Sequence, residues 1–574
     1  MKPAKIFAVV CVLSLGLVLA VRAAQSPEKI NLDALAKIKA EASRQSQLMD
    51  VARNITTVSG PRMTNSPNVR AAGEYARKKL VEWKLDDVHL ETWNFGSGWS
   101  NDKFSMKLAS DPNLSFLAYS KPWSPGTNGP VTAEVVAAVV QTQADLAKFR
   151  GTLKGKFVLV LSGPSGPPPP SKPATQTVKR FTDDELQKMA AGPAPAPAAQ
   201  PSTAAPANAA APRPATPEAP APEAGFFAFV ESALSGVQAQ AASAAPRPAN
   251  TPGLTRAQAT KFFFDEGVAA MIEPGGYREG LLFLSVTDTG QVDPWKSDPK
   301  TPKVPVQIVV SPDQYYQLMQ TVTKTSNVMM TVDVKNTYLT TDPLAFNVVA
   351  DIKGTDKADE FVVLGAHLDS WHLSTGATDN GAGVAVMMEA MRILKASGLP
   401  MRRTVRLGLW TGEEEGLLGS RAFVDKYFYT RIIRQTKAGH AKLSTYFNLD
   451  NGTGLIRGVY MQGNKEITPI FESWMAPFKS LGMTTLAPGS VSGTDHVSFD
   501  LLGLPAFQFI QDPIEYDAKT HHTNLDSYDR LLADDLTKNA TIIASFAYMA
   551  ATRDALLPRK PLPSNIYPAG SPVP

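Results

Sequence analysis

Cysteine is almost absent from this chain. The single Cys11 lies in an apolar N-terminal run, so no intrachain disulfide can form and stability has to come from packing or from bound metal. Blocks of like charge are missing too: 57 lysines and arginines stand against 53 aspartates and glutamates, scattered to a net +4. That dispersal excludes the basic stripe of a nucleic-acid binder. The leading apolar run, Ile6–Val21, is short for a membrane span. Lys2 and Lys5 precede it and Val21-Arg22-Ala23 offers a small-residue cleavage point, so residues 1–23 read as a secretory signal peptide. Export across a bacterial inner membrane, to the periplasm or the medium, is expected, with no stable membrane span after cleavage. No internal repeat is found.

The 574 residues exceed one typical core, which predicts two folded units and unfolded connectors. Residues 31–93 read as helical, turning to strand at Val88–Trp93. Short apolar strands follow at 156–163, 266–276 and 304–310, bounded by glycine and proline. Between them, about 164–225 is rich in proline, alanine and small polar residues; it lacks the apolar bulk to offset chain entropy and is expected to be disordered. Two helical pieces, 181–191 and 226–240, interrupt this region or follow it. From about residue 340 strands alternate with helices. FNVVADIKG, EFVVLGAHLD, TVRLGLWTGEE, TYFNLDN and PAFQFIQD are the strands, and GAGVAVMMEAMRILKASG, LLGSRAFVDKYF and 534–557 are the helices. This alternation predicts an α/β fold with a mostly parallel central sheet flanked by helices, and ligands beyond the carboxyl ends of its strands. The proline-rich tail, 558–574, is expected to be disordered.

Histidine is scarce but concentrated: six of the seven fall between His367 and His522. His367 ends a strand in VVLGAHLDSWH, and Asp369 follows on the same side of the pleat, able to hold the second imidazole nitrogen for a metal or simply to form a solvated pair. Asp379 sits on a small-residue turn before an apolar helix; alone it reads best as a helix cap. Three consecutive glutamates, Glu413–Glu414–Glu415, end the next strand, and crowded like charge is relieved by a cation or by water. Asp450 closes another strand, and one of the adjacent His521 and His522 is a candidate ligand. Together these residues supply what metal-assisted amide hydrolysis requires.

The segments GAHLDS, ATDNGAG, WTGEEEGLLGS, NLDNGTG and HHTNLDSYD resemble the zinc aminopeptidase family that contains leucine-type aminopeptidases, glutamate carboxypeptidases and carboxypeptidase Q, and most of all the carboxypeptidase Q branch. The resemblance implies a zinc exopeptidase fold with a catalytic domain over 335–557, its N-terminal part at 24–121, and a β-rich protease-associated insertion over 122–334. It implies two zinc ions per chain: His367 and Asp450 on one, Glu414 and His522 on the other, and Asp379 bridging. Glu413 would be the general base toward a metal-bridging water, and Asp369 would orient His367. The peptide after the bridging aspartate is often cis in the family, and Asn380 stands here where the branch more often has a second aspartate. Asp495 and His496 in SGTDHVSF are candidates for the substrate side.

The implied function is an exported aminopeptidase or dipeptidase acting on short peptides. The alternatives are a carboxypeptidase Q-like carboxypeptidase, with Arg62 or Arg421 as partner of a terminal carboxylate, a glutaminyl-cyclase-like enzyme, or a binding protein on the same scaffold. The insertion would cover the cleft, limit substrate length or mediate a homodimer.

Overall fold

The computed structural model describes residues 28–140, 142–160, 178–192, 254–275, 281–289, 292–296, 301, 303–431 and 433–563. The expected signal peptide, Cys11, most of the Pro/Ala-rich stretch and the helical piece at 226–240 lie outside them. Strands, numbered along the chain, are β1 Asp86–Asn94, β2 Gly98–Leu108, β3 Ala118–Ser120, β4 Val131–Ala137, β5 Phe157–Leu159, β6 Ala270–Pro274, β7 Val306–Val310, β8 Met329–Leu339, β9 Leu344–Ile352, β10 Lys357–His367, β11 Arg403–Trp410, the short pair β12 Tyr429–Thr430 and β13 Gln435–Thr436, β14 Leu443–Asn448, β15 Ile456–Tyr460, β16 Thr485–Ala487 and β17 Ala506–Gln511.

The main sheet has the order β1-β9-β11-β10-β14-β17-β15-β16. It is parallel from β11 through β10 and β14 to β17, and antiparallel strands join it on both sides of that centre. The α/β expectation holds, and each strand read from the pattern after residue 340 is present. Period-two alternation explains how β10 is buried on both faces. Val362, Leu364 and Ala366 face the helices Ala382–Ser397 and Ala533–Thr552, while Val363 faces Trp410, Phe423 and Tyr446 on the other side. Truncating Leu364 to alanine would cost about 2–5 kcal/mol, because the packed layer cannot collapse into the gap.

The helix Ala382–Ser397 starts where the Asn380 side chain accepts the Gly383 N–H at 3.0 Å, and ends at Gly398 in the left-handed region, φ 62°. The last helix stops at Thr552, short of the expected Leu557, where Arg553 turns extended. The expected disorder of 558–574 does not begin at its first residues. Asn464 donates to the Pro558 carbonyl at 2.8 Å, Arg559 donates to the His440 carbonyl at 2.6 Å, and Lys560 pairs with Asp500 at 2.5 Å. Among the described residues no helix is long and apolar enough to cross a membrane.

A second sheet, β2-β8-β4-β5-β6-β7-β3, is inserted between β1 and β9. It starts at Gly98 and ends at Leu339, wider than the 122–334 that the resemblance implies, because the polar β2 carries no apolar run to mark it. Phe157, Leu159, Ile272, Ile308 and Met330 form its core. Within the Pro/Ala-rich stretch, the helical piece read at 181–191 is present as Asp183–Ala191, which buries Leu186, and Arg180 pairs with Asp512 at 2.9 Å and Asp535 at 2.7 Å on the main domain.

Candidate metal centre

The carboxyl ends of the parallel strands converge on one place. His367 ends β10, Glu413 and Glu414 follow β11, Asp450 follows β14, and His522 lies on the loop after β17. Asp379 enters from the turn that opens the helix Ala382–Ser397. The peptide Asp379–Asn380 is cis. Asn380 also donates to the Leu449 carbonyl at 2.9 Å, tying this turn to the residue before Asp450.

Asp379 lies between the two imidazoles. Its Oδ1 is 3.2 Å from His367 Nε2, and its Oδ2 is 3.3 Å from His522 Nε2. Asp450 Oδ1 is 3.3 Å from the same His367 nitrogen, and Glu414 Oε2 is 2.9 Å from the same His522 nitrogen. The five residues read as candidate ligands are thus brought together, as two imidazole–carboxylate groups that share Asp379. His521 is set back: its Nε2 is 4.0 Å from Asp379 Oδ2, and its ring lies 4.8 Å from that of Tyr516. The nearer imidazole to both carboxylates is His522.

Asp369 orients His367 in a different way from that expected. Nδ1 of His367 faces the backbone carbonyl of Asp369 at 3.1 Å, while the carboxylate oxygen Oδ1 stands 3.6 Å away. The other carboxylate oxygen accepts from Thr64 Oγ1 at 3.1 Å and from the Glu414 N–H at 3.3 Å. The Asp369 side chain thus braces the glutamate loop. Asp495 and His496, read as facing substrate, are fully buried behind the site. His496 Nε2 bonds the Val491 carbonyl at 2.9 Å. Burial pushes the Asp495 carboxyl up to about 8 and the His496 imidazole down to about 4.

Arg62 is not available to a substrate carboxylate. Its guanidinium is buried and donates to the carbonyls of Leu368 at 2.7 Å, Thr375 at 2.6 Å and Gly376 at 2.9 Å. Burial lowers it to about 10, against the pull of Asp526, Asp369 and Asp379. Arg421 lies on the helix Leu418–Tyr427 near Asp425.

Negative charge is in excess here, which is the test of whether a cation fits. Burial raises Glu413, Glu414 and Glu415 well above the usual carboxylate range, with neighbouring carboxylates adding to it. Glu414 Oε1, both Glu415 oxygens and Asp369 Oδ1 are buried without a hydrogen-bond partner. Burial disfavours a charged His367, but Asp450 and Glu413 outweigh it and hold the imidazole well above its ordinary value. Oxygen and imidazole donors in this number suit zinc.

The cleft above the site has about 200 Å³ of open space and is walled by Trp371, Leu373, Asp379, Glu414, His522 and Asp526. Two of these carry roles that the sequence reading left unassigned. Trp371 and His522 meet nearly perpendicular at 6.4 Å between centroids, and Asp526 accepts from the backbone of the Asp379 turn. A carboxylate four residues beyond the ligand histidine was visible in the sequence; its partner, about 150 residues away, was not.

Residues 347–547 match the model of peptidase family M28. Over 223 residues the chain is 31% identical to carboxypeptidase Q of Rattus norvegicus, covering 39% of this chain and 44% of that protein. The chain thus spans under half the length of this relative. Among solved structures, a peptidase M28 precursor from Shewanella amazonensis superposes with TM-score 0.61 at 20% identity, over 92% of this chain and 98% of that one. BSAP, a zinc aminopeptidase from Bacillus subtilis, superposes with TM-score 0.54 at 18% identity, over 88% and 95%. At those identities the superpositions speak to fold, and the sequence matches speak to descent. What the chain shares with these proteins is therefore a peptidase family M28 match over residues 347–547, with similarity to carboxypeptidase Q over 223 residues.

Proposed function

We propose that the chain is an exported dinuclear zinc exopeptidase that hydrolyses short peptides as an aminopeptidase or dipeptidase. The observation that carries this reading is Asp379 lying between His367 and His522, one oxygen toward each. His367 and Asp450 would hold one zinc, Glu414 and His522 the other, and Asp379 would serve both. Bound there, the pair supplies Lewis acidity toward a peptide carbonyl and lowers the pKa of water.

The remaining work falls to the chain's own groups. Glu413 takes the proton of the attacking water on a carboxylate oxygen and passes it to the leaving nitrogen as the C–N bond breaks. Trp371 and Leu373 give the cleft an apolar wall beside the carboxylates. With Arg62 spent on backbone carbonyls, recognition of a free amine is favoured over recognition of a carboxylate. The similarity to carboxypeptidase Q supports the second reading, a carboxypeptidase. The second sheet is taken as a protease-associated insertion, and residues 1–23 as the export signal.

Hydrolysis of one dipeptide in free, N-acetylated and C-amidated forms, with chelator and with added zinc, tests this. Loss on N-acetylation alone identifies an aminopeptidase, and loss on either block a dipeptidase. Cleavage of the acetylated form but not of the amide establishes the carboxypeptidase. Absence of zinc-dependent cleavage in all three forms overturns the proposal.

A further inference from the structure

The two half-sites are supported by different parts of the molecule. His367 is braced from within the main domain, through the Asp369 carbonyl and strand β10 itself. The loop that carries His522, between Asp512 and Asp526, is instead gripped at both ends by segments of the inserted chain. At its start Lys179 and Ile514 exchange backbone hydrogen bonds at 3.3 and 2.9 Å, and the Phe181 N–H reaches Asp512 Oδ1 at 3.0 Å. At its end the Leu284 N–H donates to the carbonyl of His522 itself at 2.9 Å. Asn524 completes that grip: its Oδ1 accepts the Leu282 N–H at 2.8 Å, and its own N–H donates to the Leu282 carbonyl at 3.2 Å.

This second grip is rooted in the inserted sheet. Tyr119, on β3, donates its hydroxyl hydrogen to the Phe283 carbonyl at 2.8 Å and accepts the Ser285 N–H at 2.7 Å. Ser285 Oγ reaches Glu273 at 3.2 Å, and Glu273 on β6 is fixed between buried Lys121 and Arg256. His522 has φ +57°, in the left-handed region that a non-glycine residue occupies only when its surroundings hold it there. The contact from Leu284 falls on the carbonyl of that residue.

We infer that residues 281–285 are a clamp through which the inserted sheet, supplying no ligand of its own, positions His522, and that Asn524 is a positioning residue for the Glu414–His522 half-site. The inference rests on the dinuclear zinc reading. Orienting partners behind a ligand change metal affinity by about 10–100-fold. Only the clamped half-site should respond.

The test titrates zinc from the full chain with chelators of graded affinity and, in parallel, measures amide hydrogen exchange over residues 519–524 of the metal-free protein. Asn524→Ala is expected to weaken one of two zinc-release steps about tenfold or more, to leave the other unchanged, and to speed exchange in the loop. Asn524→Asp, which keeps an acceptor for Leu282, is expected to restore most of the affinity. Tyr119→Phe, distant from every ligand, is expected to act in the same direction more weakly, and serves should Asn524→Ala fold poorly. Wild-type release of both zinc ions from Asn524→Ala or Tyr119→Phe with unchanged exchange overturns the clamp. A wild-type protein that binds fewer than two zinc ions overturns the dinuclear reading instead, and the clamp's metal effect with it.

Discussion

Asp526 holds Asp379 by its backbone. The two oxygens of Asp526 accept the N–H of Thr378 at 2.6 Å and that of Asp379 at 3.0 Å, from the far side of the loop that carries His522. Burial raises the Asp526 carboxyl to about 7, and these two donors work against that rise. Asp526→Ala leaves both buried N–H groups unpaired and is expected to destabilise the metal-free protein by about 2 kcal/mol or more. Asp526→Asn, which keeps one acceptor, should lose less. Urea unfolding measures both, and an alanine variant as stable as the parent would contradict the bracing role.

Glu413 separates metal binding from proton transfer. Glu413→Gln keeps size and polarity but cannot take a proton, so zinc content is expected to stay at the parent level while turnover falls by about 100-fold or more. Elemental analysis and peptide hydrolysis on the same preparation decide it. Turnover near that of the parent would assign the base elsewhere.

His496 is buried as the neutral imidazole, held down to about 4 against about 6.5 in the unfolded chain. At this site the folded state therefore binds fewer protons than the unfolded state between those values, and the contribution of His496 to stability falls as the pH drops from about 6.5 toward 4. His496→Gln keeps a donor for the Val491 carbonyl and removes the titration. The pH dependence of unfolding in metal-free protein should flatten by about 1.4 kcal/mol per pH unit across that window. An unchanged slope would show that the imidazole is not the acid-sensitive group.

Gly383 marks where the helix Ala382–Ser397 touches the end of β14. A Cβ there would lie 2.3 Å from Asn380 Oδ1 and 2.4 Å from the Leu449 carbonyl, forcing the Asp379 turn away from Asp450. Gly383→Ala is expected to cost about 1–3 kcal/mol. Gly489, whose Cβ would meet nothing within 4 Å, is the matched control, and Gly489→Ala should be neutral. Equal melting temperatures for the two variants would remove the steric argument.

The parallel core and the convergence of the candidate ligands were legible because each announces itself locally. An apolar run buried on both faces, such as FVVLGAH, ends in a polar residue at the sheet's edge, and His367, Glu414 and Asp450 each stand at such an end. The supports were not legible, because they depend on distant pairings. Thr64 meets Asp369, and Asn524 meets Leu282, across separations that no periodicity encodes. Asp495 and His496 were placed on the substrate side by the resemblance of SGTDHVSF alone, which carries no information on their burial. Strand β2 was missed for the opposite reason: it is polar on much of its length and takes its order from β8.

The crossings between the two sheets link their loop closures. Asn94 pairs with Leu344 in one sheet and Gly98 with Leu339 in the other, so β1–β9 and β2–β8 form successive lengths of one antiparallel ribbon. Docking β1 onto β9 directly would have to close a very long loop, with the entropy that closure demands. Once β2 and β8 have zipped, the ends to be joined are already neighbours, and the edge strand needs only to extend a ribbon that exists. The insertion's own folding therefore carries the loop closure, and pairing β1 with β9 adds little to it.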